Sequence, residues 1–371
     1  MRKYQYHQGS VLILFLWVMI LLSLFAVSIA LRTRLATKIE GYEMNQFELS
    51  YDYLTAVNLA RYFIDSDQDS NVDHPGDVWC GAPRGFKEME FSKRFGLEIT
   101  DEESKININI ASEPFLINFF DLLKTKKYSL KTNSKKIAGS IIAWRGGSVA
   151  QGPSTLGTKQ KMGPFESLDE LLLIQSIDSE DAEKLKPFLT VYGMAYGAMK
   201  VNLNTVHRYV LEALISSLSG DASDKKRLFE SIEEYRTLTA NSQNTAAQDE
   251  NATENSTSNI KQFFNRDDMA NIAQFMVKVG LPVQLQGPYG QMGSVPNLIR
   301  QLFYYVKVNS DYFHVEVRSR LPGKESFVLE TVLGARVIPR FRVTPIGVSF
   351  GQTGKMVAIP LEILSWQERV F

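Results

Sequence analysis

Cysteine is all but missing from this chain of 371 residues: Cys80 stands alone, so no internal disulfide can staple the fold and stability must come from packing. No second cysteine or histidine adjoins it, which removes the spacings of a structural zinc site or an activated thiol. A small, half-buried apolar role is expected for Cys80. Net charge is missing too. Lys+Arg 41 and Asp+Glu 41 cancel, leaving no global field to draw a polyanion, so nucleic acid is not an expected partner. Only four histidines occur, His7, His74, His207 and His314, far apart and without nucleophile signatures around them. His207, beside a helix start, reads as a cap or surface residue. With no phosphate loop either, these absences speak against an enzyme and imply no cofactor.

What is present is apolar. Such residues make up 44% of the chain, enough for a substantial core, and the length allows two folded units. The sharpest signal is Val11 to Leu31, VLILFLWVMILLSLFAVSIAL, which carries no charge and only Ser23 and Ser28 as polar side chains. At ~1.5 Å per residue this stretch spans roughly 30 Å, the thickness of a bilayer core. Arg32, Arg34 and Lys38 follow it directly, where a signal peptide would place small residues and a cleavage site. A retained single-pass membrane helix in contact with lipid is therefore expected, over residues 10–31. Arg2 and Lys3 in the leader MRKYQYHQG favour a cytoplasmic start, although charge on both sides decides orientation only weakly. An ordinary signal anchor is the plain alternative.

No proline interrupts residues 32–64, and Ala36, Ile39, Tyr42, Met44, Phe47, Leu49, Tyr53, Val57, Ala60 and Phe63 recur at roughly helical spacing. The pattern predicts one rod from Val11 to Phe63, about 80 Å long. Its first half is membrane span; its second is an amphipathic scaffold that needs a sheet to pack on.

An acidic, turn-rich stretch follows. Asp65, Asp67, Asp69, Asn71 and Asp73 alternate as in a calcium loop. Ser70 stands where the sharp turn wants glycine, and Gly76 where a bidentate glutamate belongs. The segment reads as a solvated loop or as a calcium site, and the two departures favour the loop. Phe95 to Ser112 reads as a strand leading to a helix start at Pro114, with helices over Phe115–Lys124 and Lys135–Trp144. Ser167 and Glu170 are spaced as a capping box opening a third helix. Lys105 opens KININI and Lys200 opens KVNLNT, a weak internal repeat in which Asn107, Asn109, Asn202 and Asn204 are placed to cap turns. Residues 237–261 are too poor in apolar groups to fold and are expected to be flexible. Alternating runs between Gln301 and Ile338 predict an antiparallel meander.

A polar leader ending in Gly9 and passing straight into an apolar helix resembles a type IV prepilin processing site. The resemblance implies cleavage between Gly9 and Ser10 by a prepilin peptidase on the cytoplasmic side, then N-methylation. Most such proteins begin the mature chain with Phe or Met, from which Ser10 departs. Most also carry a glutamate at the fifth mature position, which here is Leu14. A carboxylate inside the bilayer costs ~2.5–3.5 kcal/mol unless paired, and its partner in a filament is the amine of the subunit above. A subunit with nothing above it has no use for that carboxylate, so Leu14 suits a filament tip.

Together with Asp73 and Trp79, DEESKININIAS, PFESLDELLLI, KVNLNTV and the meander, these features resemble the K-class minor pseudopilin of type II secretion systems, general secretion pathway protein K. The resemblance covers nearly the whole chain. It implies an α+β pseudopilin fold, a long N-terminal helix packed on an antiparallel sheet, with a large inserted α-helical domain. The corresponding boundaries are leader 1–9, membrane helix 10–31, first part of the pilin domain 32–103, insert 104–285 and meander 286–371. As partners it implies the I- and J-class minor pseudopilins, the major pseudopilin and the inner-membrane secretion platform, with the bulk of the chain in the periplasm. Members can bind calcium, but where relatives carry acidic residues after a Trp this chain has Arg145, Gly146 and Gly147. A reading from another class, a membrane-tethered helix-hairpin-helix protein for DNA uptake, rests on Lys124, Lys126, Lys127, Lys131, Lys135 and Lys136. A type IV pilus minor pilin is a further alternative.

Overall fold

The computed structural model describes residues 9–67, 69, 71–126, 128–146, 161–193, 199–246, 263–283, 293–320, 327–334 and 362–370. Two compact units result, Met1–Val57 and Asn58–Phe371.

Helix α1, Gly9–Asp65, starts in the first unit and ends in the second without a break. Its 57 residues make a rod about 85 Å long at ~1.5 Å per residue. Gly41 lies within it, because one glycine costs a helix only about 1 kcal/mol. The stretch after Val11 is apolar and long enough to cross a membrane, and none of its membrane-length window is buried.

In the second unit β1, Phe95–Asp101, alternates buried Phe95, Leu97, Ile99 and Asp101 with more exposed partners. The chain then leaves the sheet for a helical domain. It comprises β2 (Ile106–Asn107), α2 (Glu113–Lys126), α3 (Ser134–Trp144), α4 (Ser179–Leu185), β3 (Leu189–Thr190), β4 (Val201–Asn202), α5 (Arg208–Ser217) and α6 (Ala222–Ala246). It closes with α7 (Arg266–Ala270), α8 (Ile272–Lys278), α9 (Ser294–Tyr305) and β5 (Val306–Lys307). The sheet resumes with β6 (Tyr312–Ser319), β7 (Phe327–Gly334) and β8 (Glu362–Val370). Among the described residues it runs β1-β6-β7-β8, antiparallel throughout. The α+β class with a helical insert is as expected.

Each helix of the insert follows from local chemistry. In α2, Pro114 sits in the first turn, where its missing N–H is no loss. Phe115, Leu116, Phe119, Phe120 and Leu123 turn inward at helical spacing, with Lys124 and Lys126 in the last turn. Asn133 caps α3 by accepting from Lys135 N–H at 2.9 Å. Ser167 and Glu170 form the expected capping box, yet Leu168–Leu173 is a 3₁₀ rather than an α-helix. Leu172 and Leu173 stay exposed, so no apolar stripe extends the first turn.

Two boundaries differ from the sequence reading. The run at Gln301–Val308 looks like a strand, but Leu298, Ile299 and Leu302 form one buried helical face with the residues before it, and only Val306–Lys307 is extended. These residues join the helical core, so the insert runs on to the sheet's return at Tyr312. Helix α6 continues to Ala246, inside the stretch expected to be flexible, because adding a residue to an existing helix is far easier than nucleating one. Residues 247–261 lie outside the described residues.

The helical domain shows one strand arrangement twice, in a first and a second copy. In the first copy β2 pairs in parallel with β3 through Ile106↔Leu189 and Asn107↔Thr190. In the second β4 pairs in parallel with β5 through Val201↔Val306 and Asn202↔Lys307. Both copies contribute to one continuous core.

Candidate functional site

The acidic loop, the end of β1 and the second helical copy converge on a buried acidic junction. Asp101 and Asp73 are buried there. Asp101 Oδ2 accepts from Asn202 Nδ2 at 2.9 Å, from Ser310 Oγ at 2.6 Å and from the Thr205 hydroxyl. Its Oδ1 accepts from Glu103 N–H at 2.8 Å. Asp73 N–H donates to the Val308 carbonyl at 2.8 Å, and its Oδ2 accepts from Ser310 N–H at 2.6 Å. The Asp73 carbonyl takes the side-chain amides of Asn202 at 3.1 Å and Asn204 at 3.2 Å. Val72, one residue earlier, enters the helical core. The loop is therefore a tether.

Of the four aspartates in the alternating pattern, Asp65, Asp67, Asp69 and Asp73, the structure brings together Asp67 and Asp73. Asp77, outside the alternating pattern, joins them, with one ligand atom of each within 4.8 Å of the others. Asp65 ends α1, and Asp69 Oδ1 accepts from Asn71 N–H at 3.1 Å in a turn; neither is in the group. Burial pushes Asp73 up to about 8, with the Ser310 N–H opposing and the Asp101, Asp77 and Asp67 charges adding to it. Burial, and next the Asp77 charge, also raise Asp67. Asp77 Oδ2 accepts from His74 N–H at 2.7 Å, and its Oδ1 lies 2.9 Å from His74 Nδ1. Carboxylate oxygens suit a hard cation, but calcium takes about 6–8 oxygens, and here several already accept protein hydrogen bonds.

The other singled-out residues have structural roles. Trp79 is fully buried, its ring edge-on to Phe313 at 4.9 Å. Burial drives the half-buried Cys80 thiol up to about 12, which makes it a poor nucleophile. His207 caps α5, its Nδ1 accepting from Tyr209 N–H at 3.2 Å. Arg145 donates to the Ala111 carbonyl at 2.7 Å and to the Ile108 carbonyl. Lys126 pairs with Glu212 at 3.0 Å and Lys131 with Glu180 at 2.6 Å, so part of the lysine run is already neutralised. Lys127 and Gly147 lie outside the described residues.

A second candidate surface is α1 itself. Gly9 and Ser10 are its first residues; residues 1–8 of the leader lie outside the described residues. Leu14 is 67% exposed within the apolar span. Beyond that span Met44, Phe47, Tyr51 and Leu54 are exposed, while Leu49, Tyr53, Ala56, Val57 and Ala60 are buried. The exposed set repeats at intervals of three and four, and the buried set lies on the opposite side of the helix. Such a stripe is the seam one helix offers another.

Sequence reasoning did not find Asp77, Asp101, Thr205 or Ser310 as parts of the junction. The Asn202/Asn204 repeat was the one signal pointing there.

An apolar N-terminal helix, an antiparallel sheet and a helical domain inserted into that sheet define an α+β protein. No protein-family model matches the chain, and no curated protein matches it. Among solved structures it is similar to a chain in the crystal structure of the GspK–GspI–GspJ complex of the type 2 secretion system from enterotoxigenic Escherichia coli. The TM-score is 0.51 at 15% identity, covering 89% of this chain and 99% of that one. The shared property is the fold, a pseudopilin fold with a helical insert.

Proposed function

We infer that this chain is a minor pseudopilin of a type II secretion system, set at the tip of the pseudopilus, where it helps start assembly and promotes export across the outer membrane. The observation that carries this reading is the fold likeness along 99% of a chain from the GspK–GspI–GspJ complex. The unburied apolar span of α1 and its exposed stripe of Met44, Phe47, Tyr51 and Leu54 support it.

On this reading the apolar span holds the subunit in the inner membrane, with the bulk of the chain in the periplasm. A prepilin peptidase cuts between Gly9 and Ser10, and the new terminus is methylated. Leu14 takes the place of a carboxylate that only a subunit with a neighbour above would use. The exposed stripe receives the helices of I- and J-class pseudopilins, and the major pseudopilin and the inner-membrane platform follow in assembly. The role is mechanical, and the chain is not an enzyme.

Co-expression of the full chain with the two smaller pilin-like proteins encoded beside it tests the reading. A ternary complex that survives detergent extraction and size exclusion is the expected result. Elution of the chain alone under every ratio, with both candidates folded, overturns it.

A further inference from the structure

A groove of about 500 Å³ lies where the start of α2 and the end of α5 meet the last turn of α9, within the size range of ligand sites, roughly 300–1,000 Å³. Helix α2 comes from the first copy and α5 from the second. The groove's floor is apolar, with Phe115, Met199 and Leu214 all buried. Tyr304, 60% exposed, and Tyr305 add an aromatic wall. Among the described residues no Asp, Glu, Lys, Arg or His lines it. A charged ligand would shed its water there with no counter-charge to receive it, so the groove suits a neutral one.

The polar groups narrow the class further. Ser216 Oγ donates to the Glu212 carbonyl at 2.6 Å, and Ser217 Oγ to the Leu214 carbonyl at 2.7 Å. A serine hydroxyl has one hydrogen, so both oxygens are left to accept. The Asn118 amide gives an N–H to the Ala213 carbonyl at 3.1 Å, and its Oδ1 is a further acceptor. A hydrocarbon chain covering these oxygens would leave them unpaired. A proline-rich peptide fits little better. Proline has no N–H to offer them, and Tyr304 and Tyr305 meet edge to face at 5.1 Å, too close to admit a ring between them. Acceptors beside an exposed aromatic face suit a molecule with hydroxyl hydrogens on its rim and C–H groups on its flat side. Pyranose rings are built that way, and their C–H face lies against the electron-rich face of an aromatic ring.

We propose that this groove binds a neutral oligosaccharide, with one sugar ring on Tyr304 and its hydroxyls donating to Ser216, Ser217 and Asn118.

The test uses the full chain in micelles of a sugar-free zwitterionic detergent, with maltotriose, cellotriose and chitotriose as probes, titrated by saturation-transfer NMR. The expected result is binding of at least one trisaccharide, insensitive to salt and weakened at least about tenfold in Tyr304→Ala. Tyr62→Ala, at an exposed α1 position outside the groove, should stay within about twofold of the parent. No binding of any of the three, undiminished affinity in Tyr304→Ala, or equal losses in the two variants overturns the proposal. Binding of an Ala-Pro-Pro-Ala-Pro peptide in place of the sugars overturns it too, in favour of a proline-rich partner. Should Tyr304→Ala misfold, a diazirine-bearing form of each trisaccharide is photo-crosslinked to the parent chain. Adducts on the tryptic peptides containing Tyr304 or Ser217 support the groove; adducts confined to other peptides overturn it.

Discussion

The side-chain amide of Asn204 exchanges two hydrogen bonds with the backbone of Phe264, accepting from its N–H at 3.1 Å and donating to its carbonyl at 3.0 Å. Asn109 makes the same exchange with Phe165, at 2.7 and 3.0 Å. Each asparagine lies two residues past a short parallel strand, and each clamped phenylalanine just precedes a capping box, Ser167/Glu170 in one copy and Asn265/Asp268 in the other. The copies differ in what else the clamp holds. Asn109 also donates to the Val191 carbonyl of its own copy at 3.1 Å, whereas Asn204 donates to Asp73, brought in from the acidic loop.

That difference predicts unequal mutational costs. Asn204→Ala leaves several buried groups without partners and should cost about 2–4 kcal/mol; Asn109→Ala, half-buried, should cost about 1–2. Denaturant melts of the full chain in micelles measure both. Equal losses would mean that the tether to Asp73 adds nothing.

Acid should stabilise the folded chain. Asp73 rises from the usual carboxylate range to about 8, and Glu103, raised by burial against its Lys307 partner, to about 7. Between pH 4 and those values the folded state binds more protons than the unfolded one, so stability falls as pH rises. Melting temperature should drop from pH 5 to pH 8, and Asp73→Asn, which mimics the protonated acid, should flatten the slope. A rising melting temperature over that window would refute the assignment.

Processing at Gly9 is a third expectation. Gly9→Phe should leave the nine leading residues attached, read as intact mass from membranes of cells with a working secretion apparatus. The parent chain should begin at Ser10. A parent mass that keeps the leader removes the prepilin reading.

The exposed stripe on α1 should matter for assembly and not for folding. Phe47→Glu and Tyr51→Glu should each weaken capture of smaller pilin-like partners about tenfold or more, as central aromatic contacts do. Both should melt within about 1 kcal/mol of the parent, because exposed positions tolerate substitution. Unchanged capture would place the partner elsewhere.

Much of this architecture was legible because the strongest signals are periodic. The uninterrupted apolar and then amphipathic pattern announces α1, and the alternation from Tyr312 to Ser319 announces β6. Pro114 and Ser167 mark starts that the structure keeps, although Ser167 opens only a 3₁₀ turn. The acidic junction was less legible. Asp101 has no local feature distinguishing it from the acids beside it; what sets it apart is the arrival of Asn202, Thr205 and Ser310 from far along the chain. Convergence of that kind is a property of topology, and spacing along a sequence does not encode it. Val72 and Asp73 were misleading for the same reason: an acidic, turn-rich stretch looks solvated until a distant cradle is found to hold it.

Asp101 and Phe313 sit on the same rung of the β1–β6 ladder, so the entire helical domain occupies the position of a hairpin loop. The entropy of closing a loop grows only logarithmically with its length, about 0.6 kcal/mol for each doubling. Once the two strands have met, a still larger insertion would burden the hairpin scarcely more than this one does. Descendants of this chain are thus at liberty to enlarge, trim or exchange what they carry on that rung, while the platform beneath keeps its shape.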